Sequence, residues 1–291
     1  FVLSYLKIMF QVDMIKFYSM LKGVYGHEKD IDTLLTVMGE LDALIAVASF
    51  REYLPYYSIP KLRENQERRS GEQVFVSMKD LYHPLIPNPV ANSIEIRGGI
   101  LVTGSNASGK STFLKTIALN VILSQTIFTC ISHTYEGDYL KVMTSMALRD
   151  NLEGGESYYI VEIKSLQRIL EECKKDQPVL CIVDEVLRGT NTIERIAASS
   201  RILKYLQRPE VLPLAATHDI ELSYILEDCY TNYHFEEEII DHDVLFNYQL
   251  KKGRATTRNA IRLLEMIGYD KKIVTEAQQA AQKFEKTGVW E

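Results

Sequence analysis

The fold is decided by Gly104-Ser105-Asn106-Ala107-Ser108-Gly109-Lys110-Ser111, a stretch that matches the pattern G-x-x-x-x-G-K-[ST]. The run before it, Gly99 to Thr103, is apolar and β-branched, which predicts a buried strand. The run after it, Ser111 to Phe128, is long and mostly apolar, which predicts a core helix. A glycine-rich turn between a strand and a helix directs backbone N–H groups and the positive end of a helix dipole at one point. The stretch therefore predicts an anion site, with a chance match in a glycine-bearing loop as the alternative.

Two side chains of this stretch suit the phosphates of a nucleotide and a magnesium ion. We expect Lys110 to contact the β- and γ-phosphates, and the Ser111 hydroxyl to complete the coordination of Mg²⁺. The candidate nucleotide-binding residues of the stretch are Gly104, Ser105, Asn106, Ala107, Ser108, Gly109, Lys110, Ser111 and Thr112.

An acidic pair, Asp184-Glu185, follows a second apolar run, Pro178 to Val183, which predicts another strand. The carboxyl ends of central parallel strands lie at the edge where such sheets bind ligands. We expect Asp184 to hold magnesium through water, and Glu185 to orient and deprotonate the attacking water. The alternative is a solvated turn that caps a core strand.

A histidine ends a third predicted strand, because Leu212 to Ala216 leads into Thr217-His218-Asp219. At the same sheet edge, His218 could contact the γ-phosphate or the attacking water. A lone histidine at a strand end is more often structural. The convergence of three strand ends on one ligand favours the functional interpretation.

A second glycine-rich helix start lies between these motifs, where Gly154-Gly155-Glu156-Ser157 precedes an apolar helical pattern. Glycine and serine at a helix N-terminus suit an anion. One nucleotide needs only one such cradle, so the spare one suggests a nucleotide that is bound to another subunit. An ordinary helix cap is the alternative.

The bulk composition is that of a globular protein, with 46% hydrophobic and 25% charged residues. A net charge of −6 gives no general attraction to nucleic acid or anionic lipid. The 4 cysteines lack C-x-x-C spacing, which suits a reducing, cytoplasmic compartment. The 6 histidines lack metal-ligand spacing. Charged residues at 7, 13, 16 and 22 interrupt the apolar opening, so we expect no membrane segment in this chain. A membrane anchor upstream of Phe1 stays open.

The order of the elements predicts an α/β fold, with a mostly parallel sheet covered by helices on both faces. Strands are predicted near residues 100–103, 140–146, 179–183 and 212–216, and helices near 110–128, 157–173, 192–207 and 219–226. The charged stretch 61–70 is predicted to be an exposed loop. We divide the chain into a helical segment at 1–56, a P-loop domain at 57–252 and a helical element at 253–291.

These motifs, in this order, resemble the ATPase domain of the MutS mismatch-repair family, a branch of the ABC-type ATPases. Asp184-Glu185-x-x-Arg188-Gly189-Thr190-x-Thr192 is similar to the D-E-x-G-R-G-T-S-T motif of that family. The segment at 155–162 resembles its G-R-S-T-F-M-V-E segment, and Ala216-Thr217-His218 resembles its switch histidine. His83-Pro84 matches its H-P dipeptide. Two departures are Leu187 in place of a glycine and Ala107-Ser108 in place of Met-Gly.

The resemblance implies roles for individual residues. Ser157 would act in trans on the γ-phosphate of the partner subunit, and His218 would sense that phosphate. The family's adenine-stacking aromatic falls near Pro89-Val90, so Val90 and Tyr248 are the candidates for base contact. The first 54 residues would belong to lever helices, and the helical element at 253–291 would be a dimerisation element.

The resulting hypothesis is a Mg²⁺-dependent, P-loop ABC-type ATPase of DNA repair or recombination, active as a homodimer with composite ATP sites. DNA would be contacted through regions outside this chain, and a repair partner protein is possible. One alternative is an ATP-gated protein or DNA scaffold in which hydrolysis is incidental. Another is an ABC-type transporter or chromosome-structure ATPase, although the chain lacks L-S-G-G-Q.

Overall fold

The computed structural model describes residues 2–64, 67–69, 71–105, 108–146, 158–240, 243–255, 260–288 and 290. The chain forms two compact units, Phe1–Pro55 and Tyr56–Glu291. The first unit is helical where it is described, and all described strands lie in the second. A further division of the second unit at residue 253 stays a prediction.

The first unit forms helices α1 Val2–Met9, α2 Val12–Val24 and α3 Glu28–Tyr53. Gln11, with φ of 47°, separates α1 from α2, and Gly26, with φ of 87°, precedes α3. Among the described residues, α3 is the one helix long and apolar enough to cross a membrane, with a mean hydropathy of 1.6 in its best window and none of that window buried. The charged residues that interrupt the apolar opening lie in α1 and α2, outside α3. Core helices of soluble proteins can have the same length and composition.

The second unit alternates strands and helices along most of its length. Its strands are β1 Lys61–Arg63, β2 Val76–Leu81, β3 Asn92–Ile96, β4 Gly99–Thr103, β5 Thr134–Asp138, β6 Lys141–Ser145, β7 Val179–Asp184, β8 Val211–Thr217, β9 Tyr230–Ile240 and β10 Asp243–Lys252. Its helices are α4 Lys110–Thr126, α5 Tyr158–Glu172, α6 Thr192–Tyr205, α7 Ile220–Ile225, α8 Ala260–Ile267 and α9 Lys271–Thr287.

The larger sheet has the strand order β10-β9-β4-β8-β7-β6. β4 pairs in parallel with β8 and β9, and β7 pairs in parallel with β8 and β6. β9 and β10 form an antiparallel hairpin. The carboxyl ends of β4, β7 and β8 therefore meet at one edge of the sheet. The predicted mixed α/β class is confirmed.

The core lies on both faces of this sheet, because successive side chains of its buried strands point in opposite directions. In β4, Ile100 and Val102 join the apolar cluster that contains the buried residues of α4. Leu101 joins the cluster on the other face, with buried apolar residues of α5 and α6. Helices on both faces explain why β4, β7 and β8 are apolar along almost their whole length.

A smaller sheet has the strand order β1-β5-β2-β3. The prediction of an exposed loop at 61–70 is wrong for β1, which pairs in parallel with β5. Arg63 Nε donates to the buried Asp138 Oδ1 at 2.6 Å, and Phe75 N donates to Asp138 Oδ2 at 2.8 Å. Because these contacts join residues far apart in sequence, the charged local pattern could not indicate a strand.

Candidate nucleotide site

The loop between β4 and α4 requires glycine at two positions. Gly104 has φ of 147° and Gly109 has φ of 102°, a region that side chains disfavour. A Cβ atom at Gly104 would also lie 2.8 Å from Phe235 O. α4 begins directly after the loop, at Lys110. Strand, glycine-rich turn and helix N-terminus therefore follow one another as the sequence predicts, although Asn106 and Ala107 lie outside the described residues.

Lys110 is almost fully buried and is held by the loop itself. Its Nζ donates to Gly104 O at 2.8 Å and to Ser105 O at 2.6 Å. Burial lowers the pKa of Lys110 to about 8, against the attraction of the nearby carboxylates of Glu185 and Asp184, which raises it. The ammonium group thus lies folded back on backbone carbonyls, in a pocket that favours its neutral form more than water does.

The ends of β4, β7 and β8 bring the predicted functional side chains together. His218 Nε2 lies 2.6 Å from Glu185 Oε1, and His218 Nδ1 donates to Gly104 O at 2.8 Å. Lys110 Nζ lies 3.5 Å from His218 Nδ1. A backbone bond from Glu185 N to Ala216 O, 2.9 Å long, fixes the end of β7 against β8. Lys110, Glu185 and His218 thus form one connected cluster, although Lys110 and His218 are 108 positions apart in the sequence.

Glu185 is held on both carboxylate oxygens. Arg188 Nε contacts Glu185 Oε2, while His218 occupies the other oxygen. Burial raises the pKa of Glu185, but the bonds from His218 and Arg188 outweigh it and lower the pKa to about 2. The carboxylate is therefore ionised at neutral pH but is a weak base while these two partners remain in place.

The residues predicted to hold magnesium fit that ion. Asp184 Oδ1 is buried and lacks a hydrogen-bond partner within the described ranges, as expected for an oxygen that awaits a ligand. Ser111 lies in the first turn of α4 and lines the adjoining cavity. Among described residues there is no cluster of three or more His, Cys, Asp or Glu that could cage a metal alone. One or two protein ligands are enough for Mg²⁺, because this ion takes its other ligands from phosphate and water.

A cavity of about 490 Å³ opens beside the loop, within the usual size range for small-molecule sites. It is lined by loop and α4 residues, by Glu185 and Arg188, and by the segment from Ile86 to Val90. Tyr248 closes one side, and a Cβ atom at Gly109 would lie 3.1 Å from its ring. The structure thus brings both base-contact candidates, Val90 and Tyr248, to the same cavity as Lys110.

Asn92 was missed by sequence reasoning, although it anchors one wall of this cavity. Its Nδ2 donates to Tyr248 O at 3.0 Å, and Leu250 N donates to its Oδ1 at 2.7 Å. Tyr248 has a left-handed backbone with φ of 52°, at an irregularity in the hairpin of β9 and β10. A single asparagine in β3 gave no signal of a partner 156 residues away.

The predicted trans-acting Ser157 lies outside the described residues, as do Gly154, Gly155 and Glu156 before it. α5 begins at Tyr158, directly after this segment. The helix that the sequence predicts there is present, whereas the role of Ser157 stays a prediction.

Comparison with known proteins places the chain in a family. The family model for MutS domain V matches residues 100–285. The chain is 28% identical over 289 residues to the DNA mismatch repair protein MSH3 of Meyerozyma guilliermondii. The aligned region covers 91% of this chain and 29% of that protein. It is 28% identical over 243 residues to the DNA mismatch repair protein MutS of Thermus thermophilus, with 83% and 29% covered. Against the human MutS protein homolog 4 it is 28% identical over 279 residues, with 89% and 28% covered.

The chain thus spans less than a third of the length of these relatives. The match to MutS domain V covers more than half of the chain and includes β4, α4 and the ends of β7 and β8. The chain therefore belongs to the MutS family.

Proposed function

We propose that this chain is the P-loop, ABC-type ATPase domain of a MutS-like protein, which binds and hydrolyses Mg²⁺·ATP as a homodimer with composite sites. The observation that carries the proposal is the connected cluster of Lys110, Glu185 and His218 at three strand ends. These groups have the chemistry that phosphoryl transfer to water needs: a cation for the phosphates, a carboxylate for the water and a donor between them.

ATP binding would begin with an exchange of partners at Lys110. Its bonds to Gly104 O and Ser105 O would be replaced by bonds to the β- and γ-phosphates. Phosphate charge favours the ammonium form, so binding would also raise the lowered pKa of this lysine.

Ser111 and Asp184 are the residues that would hold magnesium, directly for the hydroxyl and through water for the carboxylate. When bound, Mg²⁺ neutralises the charge that develops on the phosphates. The buried, unpartnered Asp184 Oδ1 is the feature of the described residues that supports this assignment.

Glu185 would orient the attacking water and accept its proton once it leaves its present partners. Both oxygens are now occupied, by Arg188 and His218. Release of either contact raises the proton affinity of the carboxylate, because each contact stabilises its charged form. His218 bridges Glu185 and Gly104 O, so it can respond to a phosphate that displaces it from the loop.

The second subunit would complete the site. The Gly154-Gly155-Glu156-Ser157 helix start would close over the γ-phosphate of the partner, and trans-acting groups of this kind contribute about 10³-fold or more in rate. The last helices, α8 and α9, would belong to the dimer contact.

The base would lie in the cavity between the Ile86–Val90 segment and Tyr248. An aromatic ring with an exposed face supports stacking on any base, which fits ATP without excluding other nucleotides. Val90 would contribute an apolar contact on the opposite side.

The biological role would be DNA repair or recombination, as the names of the relatives suggest. With a net charge of −6, this chain would leave most DNA contact to other regions of the protein. Its cysteines are free, three of them buried, which suits a reducing compartment such as the cytoplasm. A repair partner protein would bind through regions that these residues do not define.

An ATP-gated scaffold is the second candidate, and the resting state of Glu185 favours it. A carboxylate with a pKa of about 2 that is held on both oxygens suits a protein that binds ATP and hydrolyses it slowly. Steady-state ATPase rates of the whole protein, with and without duplex, mismatched and branched DNA, separate the two functions. A DNA-repair ATPase should hydrolyse ATP at a different rate with these ligands, whereas the rate of a scaffold, in which hydrolysis is incidental, should not change.

Replacement of Glu185 by glutamine tests the proposed chemistry. We expect Glu185→Gln to bind Mg²⁺·ATP with a Kd within about threefold of wild type, while kcat falls by about 100-fold or more because the proton acceptor is lost. Calorimetry and phosphate release measure the two quantities. Turnover at the wild-type rate by this variant would remove Glu185 from the role of base.

A further inference from the structure

A buried carboxylate in α5 reaches the loop that carries the acidic pair. Glu162 is 2% exposed, and its Oε1 accepts a hydrogen bond from Leu187 N at 2.5 Å. Arg188 N also donates to Glu162 Oε1, at 3.4 Å. The other oxygen, Oε2, is buried and has no hydrogen-bond partner in the part of the chain that is described. One side chain thus satisfies two consecutive N–H groups just beyond Glu185.

The loop that Glu162 binds is strained. Glu185 and Leu187 both have φ of 59°, in the left-handed region that side chains disfavour. Where the related motif has a glycine, this chain has Leu187, whose side chain is buried. Such a conformation persists only where surrounding contacts determine it. The two bonds to Glu162 are contacts of this kind, and they act next to the residue that holds Arg188 and His218.

A second contact joins the same helix to the same loop. A Cβ atom at Gly189 would lie 2.8 Å from Tyr159 Cβ and 3.0 Å from Tyr159 Cδ2. Tyr159 lies in the first turn of α5, and Glu162 lies one turn further along. Two neighbouring positions on α5 therefore contact the loop after β7, and Gly189 leaves room for one of them.

The ionisation of Glu162 is unimportant for this contact. Burial raises the pKa of Glu162, while the N–H groups of Leu187 and Arg188 lower it. Oε1 can accept both bonds in either state, because a proton would reside on the unpartnered Oε2. A glutamine at this position therefore keeps the acceptor that the loop needs.

We propose that Glu162 is a positioning residue for Glu185, which holds the left-handed loop after β7 in the shape that directs the Glu185 carboxylate at the phosphate loop and ties it to the start of α5. This inference rests on the proposed function, in which Glu185 directs the attacking water. Glu162 itself contacts neither the loop lysine nor the cavity in the described residues. Its effect on turnover passes through the backbone of Leu187 and Arg188.

The test compares four variants of the full chain: Glu162→Ala, Glu162→Gln, Gly189→Ala and Glu171→Ala. Circular dichroism and urea unfolding check the fold, calorimetry gives the Kd for Mg²⁺·ATP, and phosphate release gives kcat. Glu162→Ala leaves the loop N–H groups without an acceptor, so we expect kcat to fall by about 100-fold while Kd stays within about threefold. Glu162→Gln keeps the acceptor and should retain most of kcat. Glu171→Ala, an exposed carboxylate on the same helix, is the matched control and should behave as wild type.

Gly189→Ala tests the connection to α5 without changing Glu162. The added methyl group displaces Tyr159, and we expect a fall in kcat of about tenfold with an unchanged Kd. Even if Glu162→Ala does not fold, Glu162→Gln and Gly189→Ala decide the question.

Wild-type kcat in a folded Glu162→Ala or Gly189→Ala protein would overturn the inference, as would a loss of kcat in Glu162→Gln equal to that of Glu185→Gln. A parallel loss of ATP affinity and kcat would also overturn it, because it would indicate a purely structural role. A wild-type chain that binds ATP but never hydrolyses it, alone or with DNA, would instead refute the proposed function on which this inference rests. The two failures are thus distinguishable.

Discussion

The charged groups of Lys110 and Glu185 both bind other groups of the same protein in this structure. The lysine binds carbonyls of its own loop, and the glutamate binds Arg188 and His218. Both must exchange partners before they can act on a nucleotide. Under the proposed function, the first response of this site to ATP would therefore be a change of hydrogen-bond partners.

The lowered pKa of Lys110 predicts a pH dependence of ATP binding. Phosphate binding needs the ammonium form, and free protein with a Lys110 pKa of about 8 loses that form as the pH rises through 8. The Kd should be nearly constant below about pH 7 and should rise above pH 8 by up to about tenfold per pH unit, with proton uptake on binding. Calorimetry in two buffers of different ionisation enthalpy measures both quantities.

Lys110→Arg is the control, because a guanidinium stays charged throughout this range. Whatever affinity that variant retains should not change between pH 7 and pH 9. A wild-type Kd that is flat over the same range, with no proton uptake, would show that the lysine keeps an ordinary pKa.

The hairpin of β9 and β10 depends on a side chain from another strand, β3. Asn92 binds the backbone of Tyr248 and Leu250 and so fixes the ring that closes the cavity. Asn92→Ala should weaken Mg²⁺·ATP binding by about tenfold, the equivalent of one weakened stacking contact. Because the strand ends are untouched, kcat should change little. Nucleotide titrations and steady-state rates give the two values.

Asn247→Ala is a matched control in the same hairpin. Asn247 Oδ1 accepts only a local bond from Gln249 N, at 3.1 Å, among the contacts of the described residues. Its removal should leave ATP affinity unchanged. Equal affinities for wild type and Asn92→Ala would mean that Tyr248 needs no support from β3 or takes no part in base binding.

The elements that the sequence could predict are those whose signal is local. β4, β7 and β8 are continuous apolar runs that end in glycine, acidic or histidine motifs, so both their existence and their common edge follow from pattern and topology. β1 could not be predicted, because a charged tripeptide gives no local strand signal. Its pairing with β5 and the ion pair of Arg63 with Asp138 both join it to a distant part of the sequence.

Asn92 and Glu162 were missed for the same physical reason. Each uses a polar side chain to bind backbone groups in a distant element, and no local spacing signals such a bond. The glutamate does fall within the segment that resembles the family's G-R-S-T-F-M-V-E, but the resemblance assigns it no task.

Across the whole molecule, the proposed composite site predicts complementation between subunits. Alone, Lys110→Ala should be inactive. Ser157→Ala should lose about 10³-fold in turnover, because the trans-acting serine is gone. In a mixed dimer, one site combines an intact Lys110 with an intact Ser157, while the other site has lost both. In a 1:1 mixture with random exchange of subunits, about half of the dimers are mixed and each has one active site of two. Mixing the two variants should therefore restore about one quarter of the wild-type turnover per chain.

Phosphate release from the two proteins, alone and after mixing at several ratios, measures this effect. Each variant mixed with wild type is a control, because such a mixed dimer also keeps one intact site of two. An enzyme that is active as a strict monomer, or a mixture no faster than its components, would contradict the composite site.

The most direct test is calorimetric titration of Mg²⁺·ATP into the folded wild-type chain and into Lys110→Ala, because the proposed function requires three strand ends to form one triphosphate site. We predict one binding event per chain in the wild-type protein, and no detectable binding in Lys110→Ala when circular dichroism shows that it is folded. A folded wild-type protein that takes up no ATP in the presence of magnesium would contradict the account, as would a Lys110→Ala variant with wild-type affinity.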